Sequence, residues 1–109
     1  MAWKWYEIKS YKVSVGGEQG DYYGSIQLEA DGFYALLKFR KGGVLPAASA
    51  PTTFGQRFYG FLDFQQLPVM ADLLRNEKPV NFGWYAENPN LFQLMTGSEP
   101  VGEGDGVRP

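Results

Sequence analysis

The stretch from Tyr22 to Lys41 constrains the fold of this chain more than any other part of it. Even positions from Tyr22 read Tyr22, Gly24, Ile26, Leu28 and Ala30, and odd positions read Tyr23, Ser25, Gln27 and Glu29. Alternation of period two marks a strand with one buried face. Asp31-Gly32 follows, a pair favoured in two-residue hairpin turns whose central residues both take positive φ. Folding the chain about that turn sets Ala30 against Phe33, Leu28 against Ala35, Ile26 against Leu37 and Gly24 against Phe39. The other face pairs Glu29 with Tyr34, Gln27 with Leu36, Ser25 with Lys38 and Tyr23 with Arg40. All pairs on the first face are small or apolar, so turn chemistry and pattern agree on one register.

The flanking segments extend the pattern less regularly. Between Trp3 and Val15 the apolar phase is odd at Trp3 and Trp5, even at Tyr6 and Ile8, and odd again at Tyr11, Val13 and Val15. Such slips predict a bulge or bend, with the strand crossing between two parts of the sheet. Arg57 to Phe64 reads as a strand apolar on both sides, with Phe58, Leu62 and Phe64 on one face and Tyr59 and Phe61 on the other. A strand of that kind is central and covered twice, or part of a subunit interface.

A single helix is expected from about Gln65 to Glu77. Pro68 is placed in its first turn, where a missing N–H costs nothing. Val69, Met70, Leu73 and Leu74 form its apolar stripe, and Lys78-Pro79 stops it. Val80, Phe82 and Trp84 alternate as a further strand, Asn88-Pro89-Asn90 makes a turn, and Leu91 to Thr96 returns. The predicted class is α+β: about six strands in the order β-β-β-β-α-β-β, mainly antiparallel. They form a curved sheet wrapped on the helix or a small, partly open barrel. One domain spans residues 1–97, and residues 98–109 form a flexible acidic Gly/Pro tail.

Composition narrows the chemistry. The chain has neither cysteine nor histidine, which removes disulfides, thiol catalysis, Cys/His zinc sites and imidazole acid–base chemistry. No apolar run is long enough to span a membrane, and Met1-Ala2-Trp3-Lys4-Trp5 lacks the apolar centre of a signal peptide. A cytoplasmic protein without membrane partners is the expectation. Residues 1–98 hold nine basic and nine acidic side chains, so the net charge of −2 comes wholly from the last residues. A neutral body offers no general field for nucleic acid and does not keep copies of itself apart.

Candidate sites follow from what is left. Asp63 is the best single carboxylate for catalysis, but its place before the helix suits a cap or a turn around the first peptide groups. No enzyme is expected, and no catalytic residue is assigned. Glu18, Asp21, Glu99, Glu103 and Asp105 lack the spacing of a calcium loop, so no metal and no cofactor is assigned. The connection from Gly42 to Gln56, longer than most structured loops, reads as a lid or as mobile chain. It is flanked by Lys38, Arg40, Lys41 and Arg57, which, with Tyr23 and Tyr34, make a candidate ligand- or anion-binding face.

The remaining aromatics exceed one small core. Trp3, Trp5, Tyr6, Phe58, Tyr59 and Phe61 are the candidate interface residues. The function expected is a non-enzymatic binding module. It self-associates, as a dimer, through that aromatic surface and holds a peptide or small molecule in the cleft between sheet and helix or in the mouth under the 42–56 loop. The alternative is a single-stranded nucleic-acid binder using the aromatic and basic face of the 22–41 hairpin.

Overall fold

The computed structural model describes residues 2–19, 22–50 and 57–97; the predicted tail at 98–109 lies outside them. Among the described residues, seven strands and one helix form an α+β fold built from two open sheets. One sheet has three strands, β1 (Trp3–Glu7), β6 (Val80–Tyr85) and β7 (Asn88–Thr96), in the order β1-β6-β7. The other has four, β2 (Ser10–Gln19), β3 (Tyr22–Ala30), β4 (Phe33–Arg40) and β5 (Arg57–Asp63), in chain order. Between the sheets in sequence runs α1 (Gln66–Asn76). Of the two architectures expected, the sheets stay open and no barrel closes.

The phase slip near the N-terminus is where the chain changes sheets, and it divides the expected first strand into β1 and β2. Ile8 donates its N–H to the Val80 carbonyl in the smaller sheet at 2.8 Å, and the next residue, Lys9, donates to the Glu29 carbonyl in the larger sheet at 2.7 Å. Consecutive peptides thus serve different sheets, so the slip between Ile8 and Tyr11 is the change of sheet, whereas the earlier one, between Trp5 and Tyr6, separates the two faces of β1.

The hairpin register holds from Ala30↔Phe33 through Gly24↔Phe39, with one correction at its end. A register shift falls between Tyr22 and Gly24, so Tyr22 rather than Tyr23 partners Arg40. The turn is also simpler than expected. Gly32 alone takes positive φ, at 71°, and Asp31 does not. Ile26, Leu28, Phe33, Ala35, Leu37 and Phe39 are all buried on one side.

β5 lies parallel to β4, from Tyr34↔Arg57 to Arg40↔Asp63. A parallel neighbour requires the chain to travel back along the whole strand, which takes about a dozen residues or more. That return accounts for the length of the connection after Arg40. Its described part, up to Ala50, is anchored. Arg40 donates to the Val44 carbonyl at 2.5 Å and Ala48 N–H to Asn90 Oδ1 at 2.7 Å. Ser49 and Tyr59 exchange both backbone bonds, at 2.9 and 2.8 Å. β5 is therefore not central: it is the last named strand of its sheet, with Ser49 bridged to its free side.

The inner faces of the two sheets meet in an aromatic core. Tyr6 stacks on Phe33 with centroids 4.1 Å apart, and Phe58 touches Phe82, Trp84 and Phe92 at 5.1, 5.2 and 5.3 Å. Phe82 and Phe92 meet Phe58 edge to face, at separations that suit attraction between rings. The helix covers one end of the larger sheet. Leu67 and Leu74 are its buried residues, with Met70 packed against the core, whereas Val69, expected in the apolar stripe, is 64% exposed. Leu67 comes so near Gly24 that a Cβ there would lie 2.6 Å from its Cδ1. A side chain at position 24 would displace the end of Leu67 and press on the Ser14 carbonyl of β2, 3.0 Å away.

The last hairpin turns earlier than expected, at Ala86-Glu87, and Asn88 and Pro89 are already in β7. Proline fits there because β7 is an edge strand, where an absent N–H costs no ladder bond.

Candidate functional site

A cleft opens where the chain changes sheets. The bend at Glu7–Tyr11 forms one wall, and Leu74, Glu77 and the segment Lys78-Pro79-Val80 form the other, enclosing about 370 Å³. Its apolar lining comes from Ile8, Tyr11, Leu74, Pro79 and Val80, and its charges from Glu7, Lys9, Glu77 and Lys78. The ammonium of Lys9 lies 3.5 Å from the Glu7 carboxylate. Two charges of each sign leave the site neutral, which favours an apolar group with polar ends over a strongly ionic ligand. Its volume falls within the roughly 300–1,000 Å³ common for small-ligand pockets. This is the junction of sheet and helix named from the sequence, but none of its residues was among the candidates. The signal was present in the phase slip at residues 6–11, which marks where two sheets part.

The six residues proposed for ligand or anion binding do not form one cluster. Tyr34 and Lys38 lie on the outer face of the larger sheet, and Arg57 pairs with Tyr34 across β4 and β5. The Arg57 guanidinium is 4.7 Å from the Tyr34 ring centroid and 5.6 Å from that of Tyr59, whose hydroxyl also accepts its hydrogen bond. That bond raises the arginine pKa, opposed by desolvation and aided to a lesser extent by charge interactions with Tyr34 and Tyr59. Tyr23 and Lys41 form a second group at the far end, with the ammonium 5.9 Å from the ring centroid. Tyr23 also packs on Phe64, edge to face, at 5.8 Å. Arg40, at the end of β4, reaches into the following loop. From Tyr34 to Arg40 is about 20 Å at the usual strand rise, with Lys38 midway, opposite Phe61.

The proposed interface residues are likewise divided. Phe58 is fully buried and Tyr6 stacks inside the core, so both rings belong to the fold and neither faces outward. Trp3 and Trp5 lie on the outer face of the smaller sheet, stacked at 5.3 Å, with Tyr85 edge-on to Trp3 at 6.0 Å. Trp5 leans over Gly83, where a Cβ would meet its ring at 2.4 Å, and remains 38% exposed. Tyr59 and Phe61 are half-buried in the other sheet. Phe61 joins Phe92, Asn90 and the loop at Leu45–Ala48 around a second hollow of about 320 Å³.

Asp63 accepts a hydrogen bond from the Gln65 N–H at 2.9 Å, so its carboxylate turns the chain just ahead of the helix. The helix has no side-chain cap of its own. Among the described residues no helix is long and apolar enough to cross a membrane. A scan of protein-family models, a search of curated proteins and a search of solved structures each return no match for the chain.

Proposed function

We propose that this protein is a non-enzymatic binding module that holds a peptide or small molecule in the cleft between the β1–β2 bend and the end of α1, and that it associates with a second copy of itself. The cleft carries the reading: it is open, its lining is divided about evenly between apolar and polar surface, and its charges balance. A short peptide with an apolar side chain meets those conditions, because its backbone ends reach the charged rim while the side chain replaces water against Leu74 and Pro79. Catalysis is not part of the reading. The chain has no histidine or cysteine, and Asp63 is engaged with the backbone.

Titration with N-acetyl-Leu-Val-Leu-amide, followed by methyl NMR, tests it. Saturable shifts at Ile8, Leu74 and Val80 are expected. No shift at these methyls, or shifts confined to the outer face of β4 and β5, contradicts the cleft.

A second reading, single-stranded nucleic-acid binding, rests on Arg57 lying against Tyr34 and Tyr59, a cation beside stacking surfaces. It predicts binding of oligo-dT that falls steeply as salt rises and weakens with Arg57→Ala.

A further inference from the structure

We propose that the free edge of β2 pairs antiparallel with the β2 edge of a second copy, joining the two four-stranded sheets into one continuous sheet about a two-fold axis at Val13. The inference rests on the self-association in the proposed function and names the surface that makes it.

The two edges of the larger sheet are finished differently. On β5, the described loop supplies Ser49, which takes up both backbone groups of Tyr59. On β2, β3 is the only described strand that pairs with it. An edge strand directs alternate N–H and C=O groups outward, ready for another strand. The regular part of β2 runs from Ser10 to Val15, before its register with β3 shifts. It contains no proline and one charge, Lys12.

Side chains point the same way. Tyr11, Val13 and Val15 share the core-facing side of β2 and are 39%, 37% and 61% exposed. Leu28 and Ile26, directly across from Tyr11 and Val13 on β3, are fully buried. The apolar face of the sheet thus continues one strand beyond the elements that cover it.

The sequence of this edge is complementary to itself. Centring two copies on Val13 sets Val13 against its own counterpart, Tyr11 against Val15, Lys12 against Ser14 and Ser10 against Gly16. Every exposed apolar side chain then meets another one. A shift of two residues one way opposes Lys12 to Lys12 and Val15 to Lys9; the other way sets Tyr11 against Gly17. One register therefore satisfies both faces, and an isologous contact of this kind closes as a dimer.

Sedimentation velocity across a concentration series tests the proposal on the full chain. A reversible dimer is expected. Val13→Lys places two like charges directly opposite each other and is expected to raise the dissociation constant by about ten-fold or more. Val15→Lys, at the most exposed position of the three, is expected to act in the same direction. Circular dichroism establishes that each variant is folded, and Val15→Lys decides if Val13→Lys is not. Trp5→Ala is expected to leave the dimer intact. A dimer that resists both lysines but dissociates with Trp5→Ala overturns the strand edge while keeping self-association on the aromatic face. A wild-type chain that stays monomeric at every concentration overturns both.

Discussion

β2 and β5 bound the same sheet, and each carries apolar side chains on its core-facing side, Tyr11, Val13 and Val15 on one and Phe58 and Leu62 on the other. Their surroundings separate them. β5 sends Phe58 into the aromatic core and has a loop residue bridged to its outer side. β2 sends Tyr11, Val13 and Val15 to the same side of the sheet, yet leaves them partly in water. The difference comes from what lies opposite each edge. The smaller sheet faces β5, with Phe82, Trp84 and Phe92 touching Phe58, whereas β2 departs from that sheet at the Ile8–Lys9 switch and extends past it. Apolar alternation tells which way a side chain points, and the partner layer decides whether it is covered.

Substitutions on the two edges are expected to differ in size, and the order can be checked by denaturant titration. Phe58→Ala is expected to cost about 3–5 kcal/mol, since it removes a fully buried ring. A loss below about 1 kcal/mol would mean that β5 is not the core-bearing edge. Gly32→Ala, at the turn joining β3 and β4, is expected to cost about 1–2 kcal/mol because alanine must hold positive φ. Asp31→Ala is expected to change stability by less than about 0.5 kcal/mol, which separates the observed turn from one needing positive φ at both positions. Ser49→Pro deletes the N–H that bonds to Tyr59 and is expected to cost about 1 kcal/mol. Val15→Ser, at 61% exposure, is expected to shift monomer stability by no more than about 0.5 kcal/mol while weakening association. A large loss of monomer stability there would place Val15 inside a covered core.

Local structure was the most legible part of this fold. The Tyr22–Arg40 hairpin was readable because its alternation and its turn residues act over neighbouring positions. The slip from Ile8 to Tyr11 announced a crossing between sheet parts, though not that the parts are two separate sheets. The parallel pairing of β4 with β5 left no local mark, and so the long connection looked like a functional loop when its length is first a topological requirement. The same pairing brings Arg57 to Tyr34, a contact that the hairpin alone, with Lys38 as the nearest cation, did not suggest.

The candidate sites were less legible for a related reason. Trp3, Trp5, Tyr59 and Phe61 lie outside the core that takes Ile26, Leu28 and Leu37, whereas Tyr6 and Phe58, grouped with them by ring type, pack into it. Ring type does not reveal which aromatics a core takes, because Phe and Tyr serve interiors and surfaces alike. The cleft drew its lining from three elements that meet only in the folded chain. Its residues, among them Ile8, Leu74 and Pro79, carry no motif in the sequence.

Amide hydrogen exchange at two protein concentrations tests the comparison most directly. Amides of β2 that face away from β3 are expected to exchange rapidly in dilute solution and to become protected as concentration rises. The Ser49 and Tyr59 amides, already bonded to each other's carbonyls, are expected to be protected equally at both. Exchange along β2 that is unchanged by concentration would contradict the account, because the open edge would then have no second copy to receive.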